Sequence, residues 1–171
     1  LYSSAVLVDY FRRKKIPKLA VASPDVGGIK MARSYAKRLE ADLILIDKRR
    51  PKVNEAEVMN IIGNVYGKNI LIVDDLIDTA GTFVNAVKAL KAGGAKEVYG
   101  ACTHAILSGK AYERINKAPI HSLVVTDTLP LKEKTAKIEV RSTAKLFAEA
   151  INRTHRNESI SSLFDVDKDK Y

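Results

Sequence analysis

Short apolar runs alternate along this chain with longer segments in which apolar residues recur every three or four positions. The run 19–22 is followed by Ile29, Ala32, Ala36 and Leu39 at helical spacing. A run of four apolar residues suits a buried strand, and the spacing that follows it suits an amphipathic helix. Strands that alternate with helices are typical of a mostly parallel sheet. The pattern therefore predicts an α/β fold, with a mostly parallel sheet flanked by helices.

The rest of the chain continues this alternation. The further strands are predicted at 43–46, 58–62, 69–73, 98–103, 123–125 and 138–140, and the further helices at 82–91, 111–115 and 144–153. The turn-like segment 63–67 predicts that the strands on either side of it form a hairpin or an edge pair. Gly93 and Gly94 are predicted to end the helix before them, because glycine readily adopts the left-handed conformation of a helix end. Ser108 is predicted to cap the helix after it.

Length and composition limit the class of protein. A chain of 171 residues suits one domain with a real core, which we predict to span residues 1–164 before a flexible tail at 165–171. Apolar runs all fall short of the roughly 20 residues that cross a bilayer, so no membrane partner is expected. The single cysteine, Cys102, cannot form an intramolecular disulfide, which suits a reducing cytoplasm. The start at Leu1 rather than Met suggests a fragment or a processed product.

The net charge of +9 raises the question of a nucleic-acid partner. Basic residues cluster at 12–15 and at 48–52, but few aromatic side chains lie near them to stack on bases. The first cluster also suits the solvated C-terminal end of a helix. A positive field gathers phosphorylated small molecules equally well, so we expect no nucleic-acid partner.

The segment 70–82, Ile-Leu-Ile-Val-Asp-Asp-Leu-Ile-Asp-Thr-Ala-Gly-Thr, is the most informative part of the sequence. It predicts a buried strand that carries aspartates to its carboxyl end, then a tight loop, then the start of a helix. Ligands of parallel sheets bind at that end of the strands. Loop N–H groups, threonine hydroxyls and a helix N-terminus together make a site for a phosphate group. A capped helix needs only one Asp or Thr, and this segment holds more than that.

The three aspartates of this segment would repel a phosphate, so they need a different partner. Two like charges about 4 Å apart cost on the order of 1 kcal/mol in water, and more when they are partly buried. Carboxylates accept hydrogen bonds from the hydroxyl groups of a polyol, and a sugar phosphate presents hydroxyls at one end and phosphate at the other. A divalent metal ion would offset the acidic charge further. The segment therefore predicts a sugar-phosphate site.

Two other segments have chemistry of the same kind. Pro24-Asp25-Val26-Gly27-Gly28 joins a predicted strand to a helix, where glycines let backbone N–H groups approach an anion closely. A simple tight turn would explain that segment as well. Lys48, Arg49 and Arg50 follow a predicted strand, on a loop that we expect to be exposed. Positive groups there would stabilise the charge of a phosphoryl-type transfer, although a solvated basic loop remains open.

These residues resemble the ribose-phosphate pyrophosphokinase family, in its phosphate-activated class. The segment 74–82 is similar to the ribose-5-phosphate loop of the phosphoribosyltransferase fold. Segment 23–28 is similar to the family's pyrophosphate loop, and 47–51 to the start of its mobile catalytic loop. Segments 103–109 and 158–164 fit the family as well. Met31 stands where the family commonly has a basic residue. The resemblance covers nearly the whole chain and identifies it as the C-terminal half of the family's enzymes.

The resemblance implies an activity and a set of site residues. The family transfers pyrophosphate from ATP, which is a substrate, to ribose 5-phosphate, with Mg²⁺ as cofactor. It implies Lys48 and Arg50 as catalytic residues, Asp25 as a metal ligand, and Gly27 and Gly28 in the pyrophosphate loop. The implied ribose-5-phosphate residues are Asp74, Asp75, Asp78, Thr79, Ala80, Gly81 and Thr82.

The resemblance also implies regulation and partners. Ser159, Ser161 and Phe164 would contribute to a site where phosphate activates and ADP inhibits. The family carries a homologous N-terminal domain that supplies a metal-binding histidine and much of the adenine pocket, and it forms hexamers. Without that domain the chain is expected to bind sugar phosphate weakly and to be inactive alone; in the full-length enzyme we expect a homo-oligomer.

Three alternatives stay open. A salvage phosphoribosyltransferase shares the 74–82 pattern but has a base-recognising hood in place of the Lys48-Arg49-Arg50 context. A non-catalytic subunit associated with the synthetase would lose the aspartates and threonines, which are intact here. A transcriptional regulator that reuses the fold would bind DNA with steep salt dependence.

Overall fold

A computed structural model of the chain describes residues 1–49 and 58–164. In these residues seven strands form one sheet, in the order β3-β2-β1-β4-β5-β6-β7. Neighbouring strands pair in parallel, except that β3 is antiparallel to β2. The strands are β1 Leu19–Ser23, β2 Asp42–Arg49, β3 Val58–Ile62, β4 Asn69–Ile77, β5 Glu97–Ala105, β6 Ser122–Thr126 and β7 Ile138–Arg141. The predicted α/β class, a mostly parallel sheet flanked by helices, is confirmed.

Helices cover both faces of the sheet. In the described residues they are α1 Ser4–Lys14, α2 Ile29–Leu39, α3 Gly81–Ala92, α4 Ala111–Lys117 and α5 Ala144–His155, followed by a 3₁₀ turn at Ser161–Leu163. Residues of α1 and α2 pack on one face, and residues of α3 and α4 pack on the other. The core therefore lies in two layers, one on each side of the sheet.

Strand β4 lies at the centre because both of its faces are apolar. Ile70 and Ile72 belong to the core layer of α3 and α4, whereas Leu71 and Val73 belong to the layer of α1 and α2. All four side chains are fully buried. Successive side chains of a strand point to opposite faces, and a continuous apolar run is typical of a strand covered on both sides.

The predicted hairpin between the strands around 63–67 is wrong. Strand β3 pairs with β2, while the two sides of β4 are occupied by β1 and β5. Strand β3 does lie at an edge of the sheet, but it does not pair with the central β4, so the predicted edge pair of these two strands is wrong as well. Ile62 at the end of β3 is 53% exposed. This exposure suits a strand at the edge of the sheet better than a strand beside β4, which is buried on both faces.

The ends of the helices agree only in part with the sequence. Gly93 follows α3, and Gly94 has a φ of 90°, as predicted for a left-handed helix end. The predicted Ser108 cap is wrong, because α4 begins after Lys110 without a side-chain cap. The Ser108 hydroxyl donates instead to Asp78, across the space between two loops.

Helix α5 is the least covered element. None of its residues is buried, and the side chains of Phe147 and Ile151 are 49% and 68% exposed. Phe164 lies beyond it and makes an edge-to-face contact with Tyr2 at a centroid distance of 6.2 Å. In the part of the chain that the structure describes, no helix is both long and apolar enough to cross a membrane. The predicted tail 165–171 lies outside the described residues.

Gly100 brings β5 against the helix that starts at the predicted site. A Cβ atom there would lie 2.6 Å from Cζ of Phe83 in α3 and 2.7 Å from Cδ1 of Leu123 in β6. We expect Gly100→Ala to destabilise the chain by about 1–3 kcal/mol, because a packed core resists an added methyl group. Urea unfolding measures this change. Phe83→Leu in the same chain should recover part of the loss; fully additive effects of the two substitutions would contradict the packing argument.

Candidate functional site

The sheet has its topological switch point between β1 and β4. The chain proceeds from β1 outward to β2 and β3, then returns to β4 and proceeds the other way to β5, β6 and β7. The connections after β1 and β4 therefore diverge and leave a crevice at their carboxyl ends, which is where ligands of such sheets bind. The predicted sugar-phosphate and pyrophosphate segments are the two connections that border this crevice.

Strand β4 extends beyond β1 at the crevice. The last β1–β4 pair is Ala22 with Ile72, whereas β4 continues beside β5 as far as Ile77. Its last five residues, 73–77, therefore have no partner in β1, and Asp74 and Asp75 reach the open crevice. The sequence predicted strand residues 69–73 with the aspartates at the carboxyl end of the strand, and the observed strand continues through Asp74 and Asp75 to Ile77.

One cleft of about 310 Å³ brings together the residues predicted to bind ribose 5-phosphate. It is not sealed, since Asp78 and Thr79 are exposed and Asp74 is half-buried. A second cleft of about 810 Å³ shares three aspartates with it and is lined also by Gly27 and Gly28. The lining of the first cleft is Asp25, Leu76, Ile77, Phe83 and the seven predicted residues Asp74, Asp75, Asp78, Thr79, Ala80, Gly81 and Thr82.

The N-terminal end of α3 presents free donors at this cleft. Ala80 has a φ of 59°, a left-handed conformation that turns the chain sharply into the helix, and α3 has no side-chain cap. Within residues 1–49 and 58–164 the N–H groups of Thr82 and Phe83 donate no hydrogen bond. Unsatisfied N–H groups and the positive end of the helix dipole favour an anion at this position.

The aspartates at the end of β4 repel one another. Burial, together with the charges of Asp75 and Asp25, raises the pKa of Asp74 to about 7. The carboxylate of Asp74 is thus held in an unfavourable environment, which a hydroxyl donor or a cation would relieve. A strongly perturbed carboxyl group in a crevice is typical of a functional site.

The segment after β1 has a tight geometry of its own. The Gly28 N–H donates to Oδ1 of Asp25 at 3.0 Å, and the Ser23 hydroxyl donates to the Asp25 carbonyl at 2.6 Å. A Cβ at position 28 would lie 2.5 Å from the Ser23 hydroxyl, which explains the glycine. The Gly28 N–H is therefore bound within the loop in this structure, and the anion-binding role of Gly27 and Gly28 stays a prediction.

The carboxylates fit only part of a metal site. In the described ranges no three His, Cys, Asp or Glu side chains are grouped so that they could hold a metal ion. Mg²⁺ is commonly bound by one or two carboxylates together with water and substrate phosphates. Asp25 suits the role of such a carboxylate ligand. It lies near Asp74 and Asp75, and a divalent cation would offset the repulsion among the three carboxylates.

Sequence reasoning missed two contacts that hold the loop. The Ser108 hydroxyl donates to Oδ1 of Asp78 at 2.5 Å, and a guanidinium N–H of Arg114 donates to the Thr79 carbonyl at 2.7 Å. Ser108 belongs to the segment 103–109 that fits the family, and that segment was the one signal for it. The sequence contained no signal for Arg114, because its partner is 35 positions away.

The other predicted residues lie elsewhere. Lys48 and Arg49 belong to β2, where their backbone pairs with Met59 and Val58, so the prediction that they lie on a loop is wrong. Arg50 lies outside the described residues. His104, the residue after the predicted strand 98–103, lies within β5.

The predicted regulatory residues lie in or next to the 3₁₀ turn: Ser159 precedes it, Ser161 begins it and Phe164 directly follows it. The hydroxyl oxygens of Ser159 and Ser161 are 2.8 Å apart, and Phe164 contacts Tyr2. Tyr2 lines the larger of the two clefts. Their regulatory role stays a prediction.

Comparison with known proteins agrees with this geometry. Residues 48–165, well over half of the chain, match the family described as the phosphoribosyl synthetase-associated domain. The chain belongs to this family. The family resemblance predicted from the sequence is thereby confirmed.

Relatives of this family member carry a common name. The ribose-phosphate pyrophosphokinase of Campylobacter jejuni is 55% identical over 164 residues, which are 96% of this chain and 53% of that protein. That of Chlorobaculum tepidum is 54% identical over 167 residues, 96% of this chain and 52% of that one. The chain therefore spans about half the length of the curated relatives it matches.

A solved structure gives the same picture. The phosphoribosylpyrophosphate synthetase of Mycobacterium smegmatis superposes with a TM-score of 0.83 at 32% identity, over 91% of this chain and 51% of that one. A purine phosphoribosyltransferase from Pyrococcus horikoshii superposes with a TM-score of 0.50 at 24% identity, over 80% of this chain and 77% of that one. These two likenesses confirm the predicted phosphoribosyltransferase-type fold.

The raised pKa of Asp74 predicts a stability that depends on pH. Because the folded chain binds the Asp74 proton more tightly than the unfolded chain does, the protonated carboxyl group stabilises the fold. This stabilisation is fully present below the ordinary pKa of 3.8 and is lost as pH rises through about 7. We expect Asp74→Asn to stabilise the ligand-free chain at pH 8 by on the order of 1–2 kcal/mol, since water screens a partly exposed charge. The gain should vanish near pH 4.

Urea unfolding at the two pH values, in a chelator that removes divalent cations, measures this effect. The matched control is Asp42→Asn, which removes a surface carboxylate that pairs with Lys68 and should give no gain at pH 8. Equal stability of Asp74→Asn and the unmodified chain at pH 8 would contradict the proposed repulsion.

Proposed function

We propose that this chain supplies the ribose-5-phosphate site of a ribose-phosphate pyrophosphokinase, which transfers pyrophosphate from ATP to ribose 5-phosphate. The observation that carries the proposal is the cleft at the end of β4. The carboxylates of Asp74, Asp75 and Asp78, which suit hydroxyl groups, lie in it beside an uncapped helix N-terminus that suits a phosphate. The names of the relatives support the same activity.

In the proposed binding mode the two ends of the sugar phosphate meet different chemistry. The carboxylates of Asp74 and Asp75 accept hydrogen bonds from the ribose hydroxyls. The 5-phosphate lies over the start of α3, where Thr79, Thr82 and the free N–H groups donate to it. In this binding mode the phosphate lies away from the carboxylates. It therefore avoids the repulsion that an anion would meet next to Asp74.

The proposed reaction is an in-line transfer. The 1-hydroxyl oxygen of ribose 5-phosphate attacks the β-phosphorus of ATP and loses its proton. The bond from that phosphorus to the oxygen bridging the α- and β-phosphates breaks, and AMP leaves with the bridging oxygen. Lys48 and Arg50 are proposed to stabilise the charge on the transferred group. Mg²⁺ at Asp25 would neutralise phosphate charge when it is bound.

The activity of a whole enzyme is proposed to need more than this chain. The chain spans about half the length of the relatives it matches. The exposed apolar side chains of Phe147, Ile151 and Val140 suit contact with a further domain of the same enzyme, the N-terminal one. Assembly into a homo-oligomer, regulation through Ser159, Ser161 and Phe164, and a cytoplasmic location are parts of the same proposal.

The salvage phosphoribosyltransferase is the competing enzyme class. The chain shares its fold with the purine phosphoribosyltransferase of Pyrococcus horikoshii. That likeness concerns the fold alone. The higher identity to the pyrophosphokinases over nearly the whole chain favours the synthesis of phosphoribosyl pyrophosphate over its consumption.

Ligand binding tests the two halves of the proposed site separately. We expect Thr82→Val to weaken binding of both ribose 5-phosphate and inorganic phosphate about tenfold, the effect of one lost hydrogen bond to a charged group. Asp74→Ala should weaken ribose 5-phosphate by a similar factor but leave inorganic phosphate unchanged or tighter, since a repelling carboxylate is gone. Isothermal calorimetry with each ligand measures these effects.

The control for this experiment is Thr154→Val in α5, whose hydroxyl donates to the Ala150 carbonyl and lies outside both clefts; it should leave the affinities unchanged. If Asp74→Ala weakened inorganic phosphate as much as ribose 5-phosphate, the proposed separation of the two ends would be wrong.

Turnover separates the enzyme classes. The chain incubated alone with ATP, Mg²⁺ and ribose 5-phosphate is expected to bind the sugar phosphate without steady release of AMP. Steady AMP release would show that no further domain is needed. Release of pyrophosphate from phosphoribosyl pyrophosphate and a free purine or pyrimidine base would favour the salvage reaction instead.

A further inference from the structure

We propose that Arg114 of α4 is a positioning residue that holds the phosphate loop, residues 78–82, with its N–H groups turned toward the cleft. Ser108, in the connection between β5 and α4, assists it. The inference rests on the proposed function for the identity of the ligand, but the geometry of the loop can be tested without any ligand. Neither residue lines the smaller cleft, so each acts through the loop.

Three successive carbonyl groups at the end of β4 are bound from the same side. The Ile77 carbonyl accepts from the Leu107 N–H at 3.2 Å, and the Asp78 carbonyl accepts from the Ser108 N–H at 3.1 Å. The Thr79 carbonyl accepts from Arg114 at 2.7 Å. A trans peptide unit is planar, with its C=O and N–H on opposite sides. Each bond therefore turns the next N–H away from α4.

The bond to Arg114 has a specific consequence for α3. If the helix began one residue earlier, the Thr79 carbonyl would accept from the N–H of Phe83. In this structure the first bond of the helix runs instead from the Val84 N–H to the Ala80 carbonyl, and the Thr79 carbonyl is directed at the guanidinium of Arg114. Arg114 thus leaves the N–H of Phe83 available to a phosphate.

The loop is held in a conformation that needs such support. Ala80 and Leu107 both have positive φ, 59° and 49°, although neither is glycine. A non-glycine residue in the left-handed region costs on the order of 1 kcal/mol and persists where its surroundings impose it. The bonds from the Leu107–Arg114 segment link the two strained positions. Loss of one of these bonds is expected to release the loop rather than unfold the sheet.

Arg114 also adds charge where the proposed phosphate lies. A Cβ at Gly81 would be 3.8 Å from its guanidinium nitrogen, so the positive group lies beside the first residue of α3. The effect of the positive charge on phosphate affinity can be separated from the effect of holding the loop. Lys117 is a second cation on the same short helix, and it pairs with Glu113 at 2.7 Å instead of contacting the loop. Lys117→Gln removes the same charge from α4 without a contact to the loop.

The experiment compares Arg114→Gln, Arg114→Lys and Lys117→Gln in the 171-residue chain. The first observable is the ¹⁵N order parameter of the backbone amides of residues 79–83 in the ligand-free protein. We expect Arg114→Gln to lower these values from the rigid range near 0.85 to below about 0.7, with the amides of β4 and β5 unchanged. Arg114→Lys should be intermediate, and Lys117→Gln should match the unmodified chain.

The second observable is affinity for inorganic phosphate and for ribose 5-phosphate. We expect Arg114→Gln to raise both dissociation constants about tenfold, Arg114→Lys to recover part of the loss, and Lys117→Gln to change them less than twofold. Equal losses for Arg114→Gln and Lys117→Gln, with the loop still rigid, would overturn the inference in favour of a general charge effect.

Two further outcomes keep the test decisive. If Arg114→Gln were poorly folded, Ser108→Ala would replace it, since it removes the bond to Asp78 alone and should lower the same order parameters. Unchanged order parameters in both variants would overturn the inference. If the unmodified chain bound neither phosphate nor ribose 5-phosphate, the proposed function would fail, and the order parameters would still decide whether Arg114 positions the loop.

Discussion

The burial of β4 on both faces is the constraint on which the rest of this structure depends. Its alternating residues contribute to both core layers, so the strand lies at the centre of the sheet with β1 and β5 on either side. Its end extends beyond β1 at the switch point, where the sheet leaves a crevice. The same strand thus supplies the centre of the core and carries Asp74 and Asp75 into the cleft.

The cleft stores unfavourable interactions in the ligand-free state. Burial and two neighbouring carboxylates raise the pKa of Asp74 to about 7, the start of α3 leaves N–H groups without acceptors, and Ala80 has a left-handed backbone. Each of these costs free energy in the isolated chain. A ligand with hydroxyls at one end and phosphate at the other would relieve the first two. Such exchange of stability for binding is expected at functional sites.

The loop depends on an element that follows it in the sequence. Arg114 and Ser108 come after the next strand, yet they bind the loop between β4 and α3. Because β5 is the parallel neighbour of β4, the connections after the two strands emerge side by side at the same edge. Parallel pairing therefore brings a second loop to support the first, and the support is as much a property of the fold as of the motif.

The sequence by itself determined the alternation of strands and helices, the burial of the apolar run before Asp74, and most of the residues that line the smaller cleft. These features are local, since periodicity and a motif of nine residues depend on near neighbours in the chain. Only the tertiary structure decided that β3 pairs with β2, that Ser108 bonds Asp78 instead of capping α4, and that Arg114 holds the Thr79 carbonyl. Strand partners and long-range hydrogen bonds depend on which surfaces remain after the core is packed, and no local pattern encodes that choice.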